Sequence, residues 1–284
     1  MFSSPPRVPG TLLPLIGLCL FLLSTMAVFA SRCLSFGRPR TPSIESREAS
    51  ALWRWWMEWW VWLWGPVERA CLRLGIAPDA ITFASTVLSI AAAVLLGMGQ
   101  LSLGGWLYLF AASLDLVDGR VARAQGRSTR AGAFLDSTLD RVAELFVFGG
   151  LAVYLRNSAL LPAALAAAGS SVLVSYARAR GEALGASAAA RVGGMQRAER
   201  VVLTGVPCAL SPLLDALFGS GTGGLVSGSA LALLAVVTSL TVLRRCRSIW
   251  QALCDAEPAA HAAGNVRWVD ASRWHQKKGR QTLT

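Results

Sequence analysis

The chain has 284 residues, of which 54% are hydrophobic and only 15% charged, and its mean hydropathy is +0.49. With several apolar runs of about twenty residues, this balance excludes an ordinary soluble fold and points to an all-α integral membrane protein. The formal net charge of +11 is assigned to membrane topology and anionic headgroups rather than to nucleic acid, because the arginines cluster beside apolar runs.

Residues 11–30 form an uncharged run long enough to cross a bilayer. A retained helix is expected there, with a cleaved signal as the alternative, since Ala27 and Ala30 resemble the end of a cleavage region. Residues 32–51 are polar and carry Pro39 and Pro42, so residues 1–50 read as a hydrophobic leader and a linker. Trp53, Trp55, Trp56, Trp59, Trp60, Trp62 and Trp64 then crowd together. Indoles favour the headgroup level, which predicts a helix lying on the membrane surface.

Pro78, with Asp79 beside it in the first turn, opens the next span. Six core helices are predicted, at residues 79–98, 102–123, 132–155, 158–183, 198–218 and 224–246. The loops near 127 and 190 and the chain near 245 hold most of the arginines, whereas those near 100, 157 and 221 carry little beyond Arg156. By the positive-inside rule the arginine-rich side faces the cytoplasm. The membrane domain is thus predicted over residues 51–250, followed by a polar, basic tail over 251–284.

That cytoplasmic side carries the chemistry. Residues 115–141 read DLVDGRVARAQGRSTRAGAFLDSTLDR. If both arms are helical, Asp115 and Asp118 share one face, and Asp136 and Asp140 share one face of the next helix. Unpaired carboxylates at the edge of an apolar bundle cost several kcal/mol per ion by the usual order-of-magnitude estimate, so something positive should lie among them. An all-oxygen set favours a hard divalent cation such as Mg²⁺, Mn²⁺ or Ca²⁺ over zinc. Two such ions would balance the four charges and suit in-line displacement at phosphorus. The alternative is a structural network in which Arg120, Arg123, Arg127, Arg130 and Arg141 satisfy the same carboxylates. Gly119 and Gly132 favour the ligand-binding reading, because each removes a side chain where a ligand could approach.

Elsewhere the options narrow. His261 and His275 are the only histidines and lie in the tail, which excludes histidine-based catalysis. Cys19, Cys33, Cys71, Cys208, Cys246 and Cys254 are scattered without metal-site or disulfide spacing. Arg178 and Arg180, then Arg197 and Arg200, fall at the cytoplasmic ends of their predicted helices. They are either topology-setting charges or a pocket for an anionic acceptor.

The central stretch resembles the signature of the CDP-alcohol phosphotransferases, D-x2-D-G-x2-A-R-x8-G-x3-D-x3-D, at Asp115, Asp118, Gly119, Ala122, Arg123, Gly132, Asp136 and Asp140. A second, weaker similarity lies at Leu72, Gly75, Pro78, Asp79 and Thr82. The resemblance implies six core helices, so the leader helix departs from the pattern. It also implies a CDP-lipid donor such as CDP-diacylglycerol at Gly119, Ala122, Arg123 and Gly132. Two ions, Mg²⁺ or Mn²⁺, would be held by the four aspartates, with Asp140 also the general base.

Within the family the second half is most similar to bacterial phosphatidylinositol-phosphate synthases, which implies inositol 1-phosphate as acceptor at Arg178, Arg180, Arg197, Arg200 and Arg245. Arg178 stands where lysine is usual. The same chemistry on glycerol 3-phosphate or another alcohol is the alternative, and a non-catalytic metal- or lipid-binding membrane protein is a remote one. The resemblance further implies a homodimer, and a bacterial inner-membrane location.

Overall fold

The computed structural model describes residues 12–38 and 51–262, and among these every regular element is a helix. In chain order they are α1 (Leu12–Phe36), α2 (Ala51–Arg73), α3 (Pro78–Gly97), α4 (Leu101–Ala124), α5 (Arg130–Tyr154), α6 (Leu161–Ala183), α7 (Ser187–Ala190), α8 (Arg197–Ala209), α9 (Ser211–Phe218) and α10 (Thr222–Ala262). Helices α1, α3, α4 and α10 are long and apolar enough to cross a membrane, and the bent pair α8 and α9 makes a fifth candidate. Helix α5 carries Asp136, Asp140, Arg141 and Glu144, and these polar groups keep its hydropathy below that of a plain span. The chain is an all-helical membrane protein.

Local chemistry explains most boundaries. Pro78 occupies the first turn of α3 and Asp79 follows it, where a missing N–H and a negative charge are both favourable. The Thr129 hydroxyl caps α5 by accepting from Gly132 N at 2.9 Å. Helix α8 starts with a reciprocal box between Gln196 and Glu199. Pro207 near its end and Pro212 at the start of α9 produce a 52° bend. The fifth predicted span is therefore two helices.

Two compact units make up the chain. Of the described residues, the first takes in 12–38, 51–173 and 193–240 and contains α1 to α5, α8, α9 and the N-terminal parts of α6 and α10. Within it α3 packs on α4 and α5, and α4 packs on α8 and α2. Its core centres on Ala92, Leu96, Tyr108, Val147, Phe148, Leu151, Leu231 and Leu234. Outward, Phe83, Val87, Leu103 and Phe146 are exposed, as the lipid-facing side of a span requires. The second unit takes in, of the described residues, 174–192 and 241–262, with the end of α6, α7 and the remainder of α10. There Gly181 faces Ile249 and Ala190.

Two expectations need adjustment. Helix α10 continues to Ala262 instead of stopping near 246, because charged and polar residues end a membrane span without ending a helix. The rest of the predicted tail, residues 263–284, lies outside the described residues, as do most of the linker residues. The tryptophan helix also finds protein partners. Trp59 is 3% exposed, Trp56 stacks on Trp60 at 5.5 Å, and Phe29 of α1 sits 5.7 Å from both Trp55 and Trp62. Indoles three and four residues apart share a face, so they pack on one another and on α1.

The α3–α5 contact depends on small residues. A side chain at Gly150 would collide with the Ala93 backbone, so only glycine permits this approach. Gly150→Val should destabilise the protein by about 1–3 kcal/mol through overpacking, read as a lower thermal midpoint in detergent. An unchanged midpoint would show that the two helices can separate at no cost.

Candidate active site

Helix geometry brings the first three aspartates together. Asp115 and Asp118 lie on α4 and Asp136 on α5, and ligand oxygens from all three lie within 4.8 Å of one another. Asp118 is 4% exposed, and the Thr82 hydroxyl of α3 donates to its Oδ2 at 2.6 Å. Thus three helices converge on one group of carboxylates. Asp136 Oδ1 is buried with no hydrogen-bond partner, an arrangement that is costly unless a cation or donor completes it. The donor set is all oxygen. It fits a hard divalent ion.

Asp140 lies one turn beyond Asp136 and outside that group of three. Its Oδ1 is 2.7 Å from Arg197 Nη2, and its Oδ2 is 3.7 Å from Arg141 Nη1. Arg197 Nη1 donates to Asp115 Oδ2. One guanidinium, from the first residue of α8, therefore bridges the first and last aspartates of the sequence motif. Its Nε is buried and without a partner.

One turn further along α8, Arg200 donates to Glu144 of α5 through Nε at 2.6 Å and Nη2 at 3.1 Å. Arg200 is 2% and Glu144 3% exposed. This two-pronged pair fixes α8 against α5 and commits Arg200 inside the bundle. The expectation that Arg200 lines an acceptor pocket does not fit that placement, because its donating nitrogens face a buried carboxylate rather than an opening.

Beside the carboxylates is a cleft of about 170 Å³. Gly119, Ala122, Arg123 and Gly132, the residues expected to hold the donor, all line it, together with Asp79, Thr82, Arg127, Ser128 and Thr129. A side chain at Gly132 would come to 3.1 Å from Thr129 Oγ1, so the absence of one keeps this wall open. Helix α2 braces the α4 wall of the site. Trp60 Nε1 donates to Ser113 Oγ at 3.0 Å, and Arg120 Nε to Glu68 at 2.7 Å. Arg120 is thereby spent on α2 and not on the aspartates.

The remaining arginines belong to the second unit. Arg178 pairs with Glu182 at 3.2 Å and is more than half exposed. Arg180 is exposed. Arg245 is largely buried and donates to the carbonyls of Val174 at 2.8 Å and Val192 at 3.4 Å.

Sequence reasoning missed the roles of Thr82 and Arg197 toward the aspartates and of Glu144 toward Arg200. Glu144 carried a visible signal, four residues after Asp140 on the same helical face. Arg197 carried none, since 82 residues separate it from Asp115.

Comparison with known proteins settles the family. The family model for CDP-alcohol phosphatidyltransferase matches residues 75–242, which include all four aspartates. The chain belongs to this family. A CDP-alcohol phosphatidyltransferase is a phosphotransferase, and this chain is a membrane enzyme of that kind. It is 35% identical over 206 residues to a phosphatidylinositol phosphate synthase of Streptomyces avermitilis, covering 71% of this chain and 83% of that one. It is also 35% identical over 192 residues to that of Mycobacterium tuberculosis, covering 65% of this chain and 84% of the relative.

Two crystal structures of the Mycobacterium tuberculosis phosphatidylinositol phosphate synthase are similar in fold, each with a TM-score of 0.57 and 33% identity. One, a complex with manganese and citrate, is covered over 88% of its length by 65% of this chain. The other, with CDP-DAG bound, is covered over 92% by the same share. Helix α1 and the whole of the tryptophan helix precede the family match.

Removing one partner of the Arg200–Glu144 pair strands a buried charge, which typically costs about 3–5 kcal/mol. Glu144→Leu should therefore lower the thermal midpoint sharply, and Glu144→Leu/Arg200→Leu should recover part of the loss. Simple additivity of the two single variants would refute the pairing.

Proposed function

We propose that this enzyme transfers a phosphatidyl group from CDP-diacylglycerol to a hydroxyl of inositol 1-phosphate, releasing CMP, on the cytoplasmic side of a bacterial cell membrane. The observation that carries the reading is the pairing of a three-carboxylate cation site with a part-exposed guanidinium on the same aspartates. The first suits a diphosphate donor. The second suits an acceptor that itself carries a phosphate, because guanidinium groups bind phosphate in bidentate fashion. Names of relatives point the same way, since those with the similarity described above are phosphatidylinositol phosphate synthases.

Asp115, Asp118 and Asp136 would hold the divalent cation, and a second one would draw on Asp140. When bound, Mg²⁺ or Mn²⁺ supplies neutralising charge for the diphosphate and for the phosphoryl oxygens during displacement. The protein's own groups do the rest. The cleft at Gly119, Ala122, Arg123 and Gly132 receives the cytidine end of the donor. Asp140 accepts the proton of the acceptor hydroxyl as that oxygen attacks the lipid-side phosphorus and the bond to CMP breaks. Arg197 orients the acceptor through its phosphate. Orientation follows from charge. Arg123, Arg127 and Arg130 flank the α4–α5 turn beside the site, while the turns at the opposite ends of these helices carry Arg156, which supports a cytoplasmic site.

The decisive assay is CMP release by purified protein in detergent with CDP-diacylglycerol and Mg²⁺ or Mn²⁺, comparing inositol 1-phosphate, free inositol, glycerol 3-phosphate and serine, with products identified by mass. Inositol 1-phosphate should stimulate release and free inositol should not. Stimulation by glycerol 3-phosphate alone would keep the aspartates' role and overturn the inositol assignment. Asp140→Asn should reduce turnover by about 10²–10⁴-fold, the usual contribution of a general base, while Mn²⁺ still binds. Near-normal turnover would remove Asp140 from that role.

A further inference from the structure

Arg197 occupies a position with two competing demands. Asp115 belongs both to the group of three that fits a cation and to the ion pair with Arg197. Asp140, beside them, is held by the same guanidinium at 2.7 Å. A guanidinium and a divalent ion sharing Asp115 repel each other at short range, and the repulsion is weakly screened inside a bundle. The Arg197 side chain is nonetheless 25% exposed, and its Nε is a buried donor without a partner. A donor in that state points to a further ligand for the same side chain.

The backbone beneath it is fixed. Arg200, three residues on, is clamped to Glu144 by two hydrogen bonds, and the Gln196–Glu199 box closes the first turn. What remains to move is the Arg197 side chain itself.

We infer that Arg197 is a counter-ion lock, holding Asp115 and Asp140 until an anionic acceptor draws the guanidinium away, so that cation binding and acceptor binding are positively coupled. The coupling rests on the phosphorylated-acceptor reading above; the lock itself does not. In the locked state Asp140 is engaged and Asp115 is shared, which disfavours attack by water on the bound donor. An acceptor phosphate that engages Arg197 leaves both carboxylates to the cation and to the acceptor hydroxyl. Arg197 is then a specificity-determining residue that favours transfer over hydrolysis. By linkage, whatever the acceptor does for cation affinity the cation does for acceptor affinity.

The test is a Mn²⁺ titration of the full-length protein in detergent, without CDP-lipid, followed by electron paramagnetic resonance. With metal alone, Arg197→Gln should bind Mn²⁺ at least ~5-fold more tightly than the unaltered protein, the lower end of usual coupling factors. Saturating inositol 1-phosphate should tighten Mn²⁺ binding by a similar factor in the unaltered protein and have no effect in Arg197→Gln. Unchanged or weaker Mn²⁺ binding by Arg197→Gln would overturn the lock. Arg197→Lys keeps the charge but lacks the fork that spans two carboxylates, so it should also bind Mn²⁺ more tightly than the unaltered protein. Should Arg197→Gln fail to fold, an unchanged affinity in the lysine variant would overturn the proposal by itself. Tighter metal binding by Arg197→Gln, with no response of the unaltered protein to inositol 1-phosphate, would uphold the lock and count against that acceptor. As a second readout, acceptor-independent CMP release relative to total turnover should rise in Arg197→Gln; a fall in that ratio would exclude a role against hydrolysis.

Discussion

Carboxylates gathered inside an apolar helical bundle must be neutralised, and the centre of this enzyme is arranged around that requirement. Asp115, Asp118 and Asp136 come within reach of one ion, Asp118 takes a hydroxyl hydrogen bond from Thr82, and Asp140 shares Arg197 with Asp115. Glu144 is answered separately by Arg200. Each negative group has a source of compensation, own or shared, except for the orphaned oxygen of Asp136. Because an unpaired buried charge costs more than most single contacts contribute, these partners constrain where α3, α4, α5 and α8 can lie.

Close helix approach is the second condition. Glycine at 150 lets α5 touch the backbone of α3, and Gly105 does the same for α4 against α8. In lipid, where apolar side chains gain little from leaving one apolar environment for another, such close packing supplies the association. Helix α2 then braces α4 from the other side, with Trp60 on Ser113 and Glu68 on Arg120 bracketing the Asp115–Asp118 turn. A segment rich in tryptophan thus contributes to the rigidity of a site made by other helices. Helix α1 extends that bracing, since Phe29 is fully buried against two of the indoles.

A charge network of this kind also links the two halves of the chemistry. The carboxylates that suit a cation and the guanidinium that suits an anion are bonded to each other. On the proposed reading, binding of either partner acts on the groups that serve the other.

Much was legible in the sequence. The spacing of Asp115, Asp118, Asp136 and Asp140 on helices specified a common face for each pair, and the runs of apolar residues specified the helices, because helical period and hydropathy are local properties. Gly119 and Gly132 marked the cleft for the same reason. Only the tertiary structure decided which cation meets which carboxylate. Arg197 and Arg200 read alike in the sequence, three residues apart at one helix start, yet one bridges Asp115 and Asp140 while the other is sealed against Glu144. Their difference lies in how α8 is rotated and seated against α4 and α5, which long-range packing sets and local spacing cannot encode. The length of α10 and the packing of the tryptophans were hidden similarly, since hydropathy reports where a segment meets lipid and not where its helix or its partners end.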